Sequence, residues 1–223
     1  MNWILVSRER VQPCSGTYSD WKEPISVDCR GRCIYCSISE AEYGGIDHFH
    51  IEHFRPKSLK QFAHLENVIE NLFLACAICN RFKSDDWKEP TDEDLGSQSV
   101  YLDPSAVDYH QHIRLKIGTA LLEGTTIAGR FLVDRLFLNR QQLIAIRRLT
   151  LVSAAIAEVA SYFERVFDEL DRLDDPEATK ILMEASKLSL AINTRQAKMQ
   201  ATKPYKFGDT KRLKSSRAKD RSA

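Results

Sequence analysis

Two short cysteine pairs, Cys33-Ile34-Tyr35-Cys36 and Cys76-Ala77-Ile78-Cys79, constrain this chain more than any other feature. Two residues between cysteines allow a tight turn that aims both thiolates at one ion, and two such knuckles close a tetrahedral four-sulfur site with bonds of about 2.3 Å. A zinc ion held by Cys33, Cys36, Cys76 and Cys79 is the expectation. With all four positions taken it would be structural, fastening short elements where apolar burial is scarce. The competing readings are thiols scattered through a core, or disulfides. Disulfides call for an oxidising compartment, whereas the chain opens with no apolar signal run and no small-residue cleavage site, so a cytoplasmic protein is expected. Cys14 and Cys29 have no C-x-x-C partner and read as reduced, dispensable thiols.

At 223 residues, 43% hydrophobic and 28% charged, the chain can bury a core in one large domain or two small ones. No membrane-spanning candidate is present. The net charge of +1 argues against coating nucleic acid by bulk charge. That total hides a basic end, since Thr202 to Ala223 holds eight Lys or Arg against two Asp. Such a tail could release counterions from a phosphate backbone, or simply be a solvated, disordered end.

Along the chain, Trp3 to Val6 is a short apolar start followed by turn formers, and no role for residues 1–28 is evident. Asp47 to Phe54 alternates polar and apolar residues after Gly44-Gly45, the period of a half-buried strand in a β-hairpin that Pro56 ends. Residues 57–70 read as a loop or short helix, and Asn71 to Ala75 leads into the second knuckle, with a short helix around Asn80 to Lys83. Ser99 to Leu102 reads as a strand, and His112 to Glu123 as a hairpin turning near Gly118. Thr125 or Thr126 caps a helix running to Leu136. Leu149, Val152, Ile156, Val159, Phe163, Val166, Leu170 and Leu173 then recur every three or four residues, an apolar seam on one long helix. Asp174-Asp175-Pro176 ends it. Ile181, Ala185, Leu188 and Ile192 make a second stripe, and the two helices either fold on each other or offer a docking surface.

Between the knuckles lies the chemistry. Hydrolysing a phosphodiester needs a base for water and a cation to stabilise charge on the phosphate. His53, with an ordinary pKa near 6.5, can be that base. Glu52 offers a hard carboxylate ligand and Asn80 a neutral amide oxygen, and a site with few protein ligands leaves Mg²⁺, or Mn²⁺, its waters.

In order, Cys33-x-x-Cys36, Ile51-Glu52-His53-Phe54-Arg55-Pro56-Lys57, Glu70-Asn71-Leu72 and Cys76-x-x-Cys79-Asn80-x-x-Lys83 resemble the HNH endonucleases. The resemblance implies an α+β fold, with a zinc-stapled ββα-metal nuclease core and a mostly α-helical C-terminal region. It makes His53 the general base, Asn71 the asparagine that braces the loop holding it, Asn80 a metal ligand and Glu52 the acidic metal ligand, more often aspartate. A narrower likeness, carried by Ile51 to Ser58, Asn71-Leu72, Leu102-Asp103-Pro104, Thr126-Ile127 and Leu136 to Arg140, is to the HNH subunit of Septu-type anti-phage systems, retron-associated ones included. That implies an ATPase partner subunit and cleavage of invading or cellular nucleic acid, DNA ahead of RNA.

His50 shares a strand face with Glu52, so it is a candidate to touch the metal or to support its ligands. Arg55, Lys57, Arg81 and Lys83 surround the proposed site as candidate phosphate contacts, while His48 and His64 read as bystanders. The expected organisation is a nuclease module over 1–98, a strand hairpin and helical hairpin with a docking role over 99–200, and a basic tail over 201–223. The rivals are a stand-alone restriction-like nuclease, a zinc nucleic-acid-binding module without catalysis, and an interaction protein built on the C-terminal helices.

Overall fold

The computed structural model describes residues 3–7, 13–170 and 176–199. Among them are two small antiparallel sheets and five α-helices. Strand β1, Phe49–His53, pairs with β2, Leu72–Cys76, in a register that sets Phe49 opposite Cys76, Glu52 opposite Phe73 and His53 opposite Leu72. β1 is the expected strand and is partly buried, but its burial does not follow the sequence alternation, since Glu52 is buried and Ile51 only half-buried, whereas β2 is apolar throughout and buried throughout. The hairpin expected to turn at Gly44-Gly45 into a strand over 47–54 is thus corrected. Ile46–His48 is a 3-10 turn, and the second strand arrives only after a connection built from two more such turns, Lys60–Leu65 and Ile69–Asn71.

Helix α1, Lys22–Asp28, packs on β2. Helix α2, Ala77–Lys83, starts where β2 stops. Cys76 is both the last residue of the strand and the N-cap of the helix, its sulfur accepting from the Cys79 amide at 3.5 Å. The first knuckle is fixed to the same strand by the Ile34 amide, which donates to the Leu74 carbonyl at 3.0 Å. Both cysteine pairs are therefore anchored on one strand.

The second sheet joins β3, Ile113–Lys116, to β4, Leu121–Gly124, the hairpin its sequence predicts. Ser99 to Leu102, expected as a strand, is not one. Val100, Tyr101 and Leu102 are buried in succession, and the segment has no ladder partner among the described residues, so its apolar run reflects burial without strand pairing. Thr126 caps α3, Ile127–Arg135, accepting from the Gly129 amide at 3.0 Å. A Cβ on Gly129 would lie 1.9 Å from the His112 carbonyl oxygen, so only glycine lets α3 cross that backbone.

One buried cluster runs from Trp3 to Leu143, across β1, β2, α2, Tyr101, Leu102, the second sheet and α3. Packing therefore does not divide at residue 98. Trp3 joins this core and donates its indole N–H to the Tyr35 carbonyl at 2.9 Å, which gives the apolar start a role. Cys29 is buried too, its sulfur accepting from the Leu74 amide at 3.3 Å. Cys14 is exposed.

Helix α4, Gln141–Leu170, and α5, Pro176–Met199, form the expected hairpin, with Pro176 in the first turn. On α4 Leu149, Val152, Ile156, Phe163 and Val166 are half-buried while Val159 is exposed. On α5 Leu182, Ala185 and Ser189 are half-buried, while Ile181 and Leu188 are exposed. The stripe expected through Ile181 and Leu188 is thus turned by one position, with Ala185 common to both faces. Leu173, Asp174, Asp175 and the tail 201–223 lie outside the described residues, as do the side chains of Leu170 and Ile192. No helix among the described residues is long and apolar enough to cross a membrane.

Candidate metal centre and catalytic cleft

The sulfurs of Cys33, Cys36, Cys76 and Cys79 are buried and lie within 4.8 Å of one another. Tetrahedral zinc–thiolate bonds of about 2.3 Å would space sulfurs by about 3.8 Å, and Cys36 Sγ stands 3.7 Å from Cys76 Sγ. The donor set and spacing fit structural zinc. Four thiolates on a divalent ion leave two negative charges, and burying them requires a counter-cation. Arg140 supplies it. Its guanidinium is buried, with Nη2 3.5 Å from Cys79 Sγ and 3.9 Å from Cys76 Sγ, and the thiolates raise its pKa against the opposing effect of burial. Arg147, also buried, is spent instead on the carbonyls of Ala120 and Leu138 and on Asn139 Oδ1.

A cavity of about 700 Å³ opens beside the metal centre, and His50, Glu52, His53, Lys57 and Asn80 line it. His48 and His64 do not. His53 stands at the end of β1, where its Nε2 lies 2.9 Å from the Glu66 carbonyl oxygen. A carbonyl can only accept, so Nε2 carries the proton and Nδ1 keeps the lone pair of the neutral ring. Burial lowers the His53 pKa, and the Glu66 hydrogen bond opposes it in part. The net effect favours the neutral ring at pH 7.

Asn71 is buried and does not line the cavity. Its Oδ1 accepts from the Arg55 amide at 2.8 Å, and its Nδ2 donates to the carbonyls of Arg55 at 3.0 Å and Leu65 at 3.3 Å. Its own carbonyl receives the Phe54 amide at 2.9 Å. These bonds clamp the turn that leaves His53, a positioning role.

Asn80 is half-exposed on α2, one residue past a zinc cysteine, and Lys83 follows one helical turn later. Lys83 corrects an expectation. Its side chain is 0% exposed, and its Nζ pairs with Glu52 Oε1 at 2.7 Å and donates to the His53 carbonyl at 3.1 Å. It cannot offer that ammonium to a phosphate. Glu52, 3% exposed, takes Lys83 and the Tyr35 hydroxyl, at 3.1 Å, on the same oxygen. Burial pushes its carboxyl above the usual range and Lys83 pulls it back.

Lys57 is likewise committed, to Glu66 Oε1 at 2.5 Å and Tyr18 Oη at 2.8 Å. Arg55 is exposed, its guanidinium 6.0 Å from the Trp87 ring, and Arg81 is exposed on α2. His50 is exposed on the cleft wall.

Paired metal knuckles, a tautomer-fixed histidine, an asparagine clamp and a second asparagine on the helix now stand in one arrangement. Residues 33–86 match the HNH endonuclease family. The match spans both knuckles, β1, β2 and α2, and it supports metal-dependent nuclease activity for the HNH segment. The chain as a whole matches no curated protein and no solved structure. Outside the HNH segment, sequence reasoning missed Tyr18 in the cleft and Arg140 at the cysteines. An arginine carries no spacing signal for a sulfur partner more than sixty residues away, and Tyr18 reaches the cleft only through tertiary packing.

Proposed function

We propose that this protein is a Mg²⁺-dependent HNH endonuclease that hydrolyses phosphodiester bonds, DNA ahead of RNA. The observation that carries the reading is the His53 geometry. One ring nitrogen is fixed as donor to Glu66, which leaves Nδ1 of this cavity-lining residue as the acceptor for a proton from water. Glu52 and Asn80, across the same cavity, are the residues that would hold a divalent ion. Bound there, Mg²⁺ would supply Lewis-acid stabilisation of charge on the phosphate and the leaving oxygen. Asn71 holds the turn after His53 in register, and Lys83 holds both the Glu52 carboxylate and the His53 carbonyl. Zinc stays structural, with no open coordination position. The test is cleavage of supercoiled plasmid and of structured RNA by the purified chain with Mg²⁺ or Mn²⁺, beside His53→Ala. Wild-type nicking that the variant lacks supports the reading, and equal cutting by both returns the protein to the non-catalytic zinc-module class.

The finer reading is an effector of an anti-phage complex with an ATPase partner. Its support is the resemblance at Leu102 to Pro104 and Leu136 to Arg140, together with apolar side chains exposed on the distal hairpin, Val159 and Tyr162 on α4 and Ile181, Met183 and Leu188 on α5. Such side chains on two neighbouring helices suit a protein partner. Inspection of the neighbouring reading frames for an ATPase, then co-expression with it and size-exclusion chromatography, tests this. A chain that elutes alone and cuts rapidly by itself favours the stand-alone nuclease.

A further inference from the structure

The cleft holds a side chain outside the matched segment, and its hydrogen bonding is incomplete. Tyr18 opens a 3-10 turn, Tyr18–Trp21, and its backbone amide donates to Asn67 Oδ1 at 2.8 Å, which pins the turn against the connection between β1 and β2. Its ring stands edge-on to His53 with centroids 4.7 Å apart. Its phenolic oxygen lies 2.8 Å from Lys57 Nζ, Lys57 pairs with the Glu66 carboxylate, and the Glu66 carbonyl takes His53 Nε2. The four residues close a circuit around the candidate base.

Donor arithmetic then decides what is left over. An ammonium has three protons and no lone pair, so Tyr18 Oη must be the acceptor of the Lys57 bond. The phenol's own proton has no acceptor among the described residues, and Tyr18 lines the cavity. One face of its ring is already taken by Lys57 Nζ, 4.0 Å from the centroid, which leaves poor access there for a stacked base. Hydroxyl donation is the chemistry that remains.

We propose that Tyr18 is a catalytic residue of the nuclease cleft, its hydroxyl, polarised by Lys57, donating a hydrogen bond to a non-bridging oxygen of the scissile phosphate. This rests on the nuclease reading above. Lys57 then serves phosphate through Tyr18, and Glu66 holds Lys57 in place. A donor fixed before substrate arrives costs no reorganisation as charge builds on the phosphate oxygens, and loss of one such donor lowers kcat by about 10²–10³-fold.

The experiment uses the full zinc-loaded chain with Mg²⁺ and a duplex carrying one phosphorothioate at the mapped cut site, each diastereomer separately. Tyr18→Phe keeps the ring against His53 and removes only the hydroxyl. We expect about 10²-fold slower single-turnover cleavage of the unmodified duplex, with KM, zinc content and thermal midpoint unchanged. One sulfur diastereomer that slows the wild type should slow Tyr18→Phe no further. Lys57→Met should lose less than Tyr18→Phe and add little to it in the double variant. Two outcomes overturn the proposal: Tyr18→Phe cutting at the wild-type rate, or a slowed variant in which both diastereomers keep their full sulfur effect, which would make Tyr18 a support for His53 alone. His53→Ala separates the failures. If it is dead while Tyr18→Phe is normal, only the Tyr18 assignment falls; if wild type and His53→Ala cut alike, the nuclease reading falls and takes this one with it.

Discussion

Lys83 Nζ and Glu52 Oε1 form a 2.7 Å ion pair beneath the cleft, with Lys83 wholly enclosed. Two charges out of water persist only when each satisfies the other and further hydrogen bonds complete the set, here from Tyr35 and to the His53 carbonyl. Removing one partner strands the other. Lys83→Met should destabilise the fold by about 3–5 kcal/mol in denaturant titrations, and Lys83→Met with Glu52→Leu should regain part of that loss. A single variant as stable as wild type would mean that Glu52 is neutral in the fold.

Zinc should be present at one per chain and required for folding, because coordination of buried thiolates is folding free energy. Elemental analysis checks the stoichiometry. Cys36→Ser and Cys76→Ser should unfold or aggregate, and a strong chelator should abolish the near-ultraviolet circular dichroism. A soluble, zinc-free double-serine variant with full activity would remove zinc from the account.

Arg140→Gln should loosen the metal and lower the thermal midpoint with it, since partners of metal ligands commonly tune affinity by about 10–100-fold. The measurement is zinc release to a chromogenic chelator, and Arg140→Lys should fall between, a point charge replacing a planar fork. Release at the wild-type rate would mean that the guanidinium only packs.

His53→Ala should lower kcat by about 10²–10⁴-fold while leaving zinc content and melting temperature unchanged. Asn80→Ala should fail differently, needing more Mg²⁺ for half-maximal cleavage. Titrating Mg²⁺ against rate separates the two.

Tyr162→Asp and Leu188→Asp fall on exposed positions of the hairpin, so both should leave the free chain soluble and break its complex with an ATPase partner in co-purification. Phe163→Asp, half-buried, should destabilise the hairpin itself. If Leu188→Asp unfolds the chain, that face is internal.

The cysteine pairs, β1, α2, the β3–β4 hairpin and the Thr126 cap could be read from the sequence because each is a local signal: fixed spacing, period-two alternation or a capping hydroxyl. Partner choice was harder. β1 looked like half of a tight hairpin, since nothing in Asp47 to Phe54 reveals that its ladder partner waits beyond two 3-10 turns. Lys83 looked like a phosphate contact because a lysine's default is solvent, and only the burial of Glu52 on the facing strand overrides that default. Val100 to Leu102 looked like a strand because burial and strand pairing leave the same short apolar run. The α5 stripe slipped by one residue because Ile181 and Leu182 are adjacent and equally apolar, while Ser189, on the inward face, breaks the apolar pattern that would have marked it.

Arg140 sits one residue before α4 begins. Its guanidinium grips cysteines of the second knuckle, and the last of these, Cys79, directly precedes Asn80. The thirty-residue helix is therefore rooted beside the cysteine cluster, and its root touches the residues that lead into the candidate cleft. Bending at the far end of the hairpin would reach Arg147 and its bonds to the Ala120 and Leu138 carbonyls before it reached Arg140, the cysteine sulfurs and Asn80.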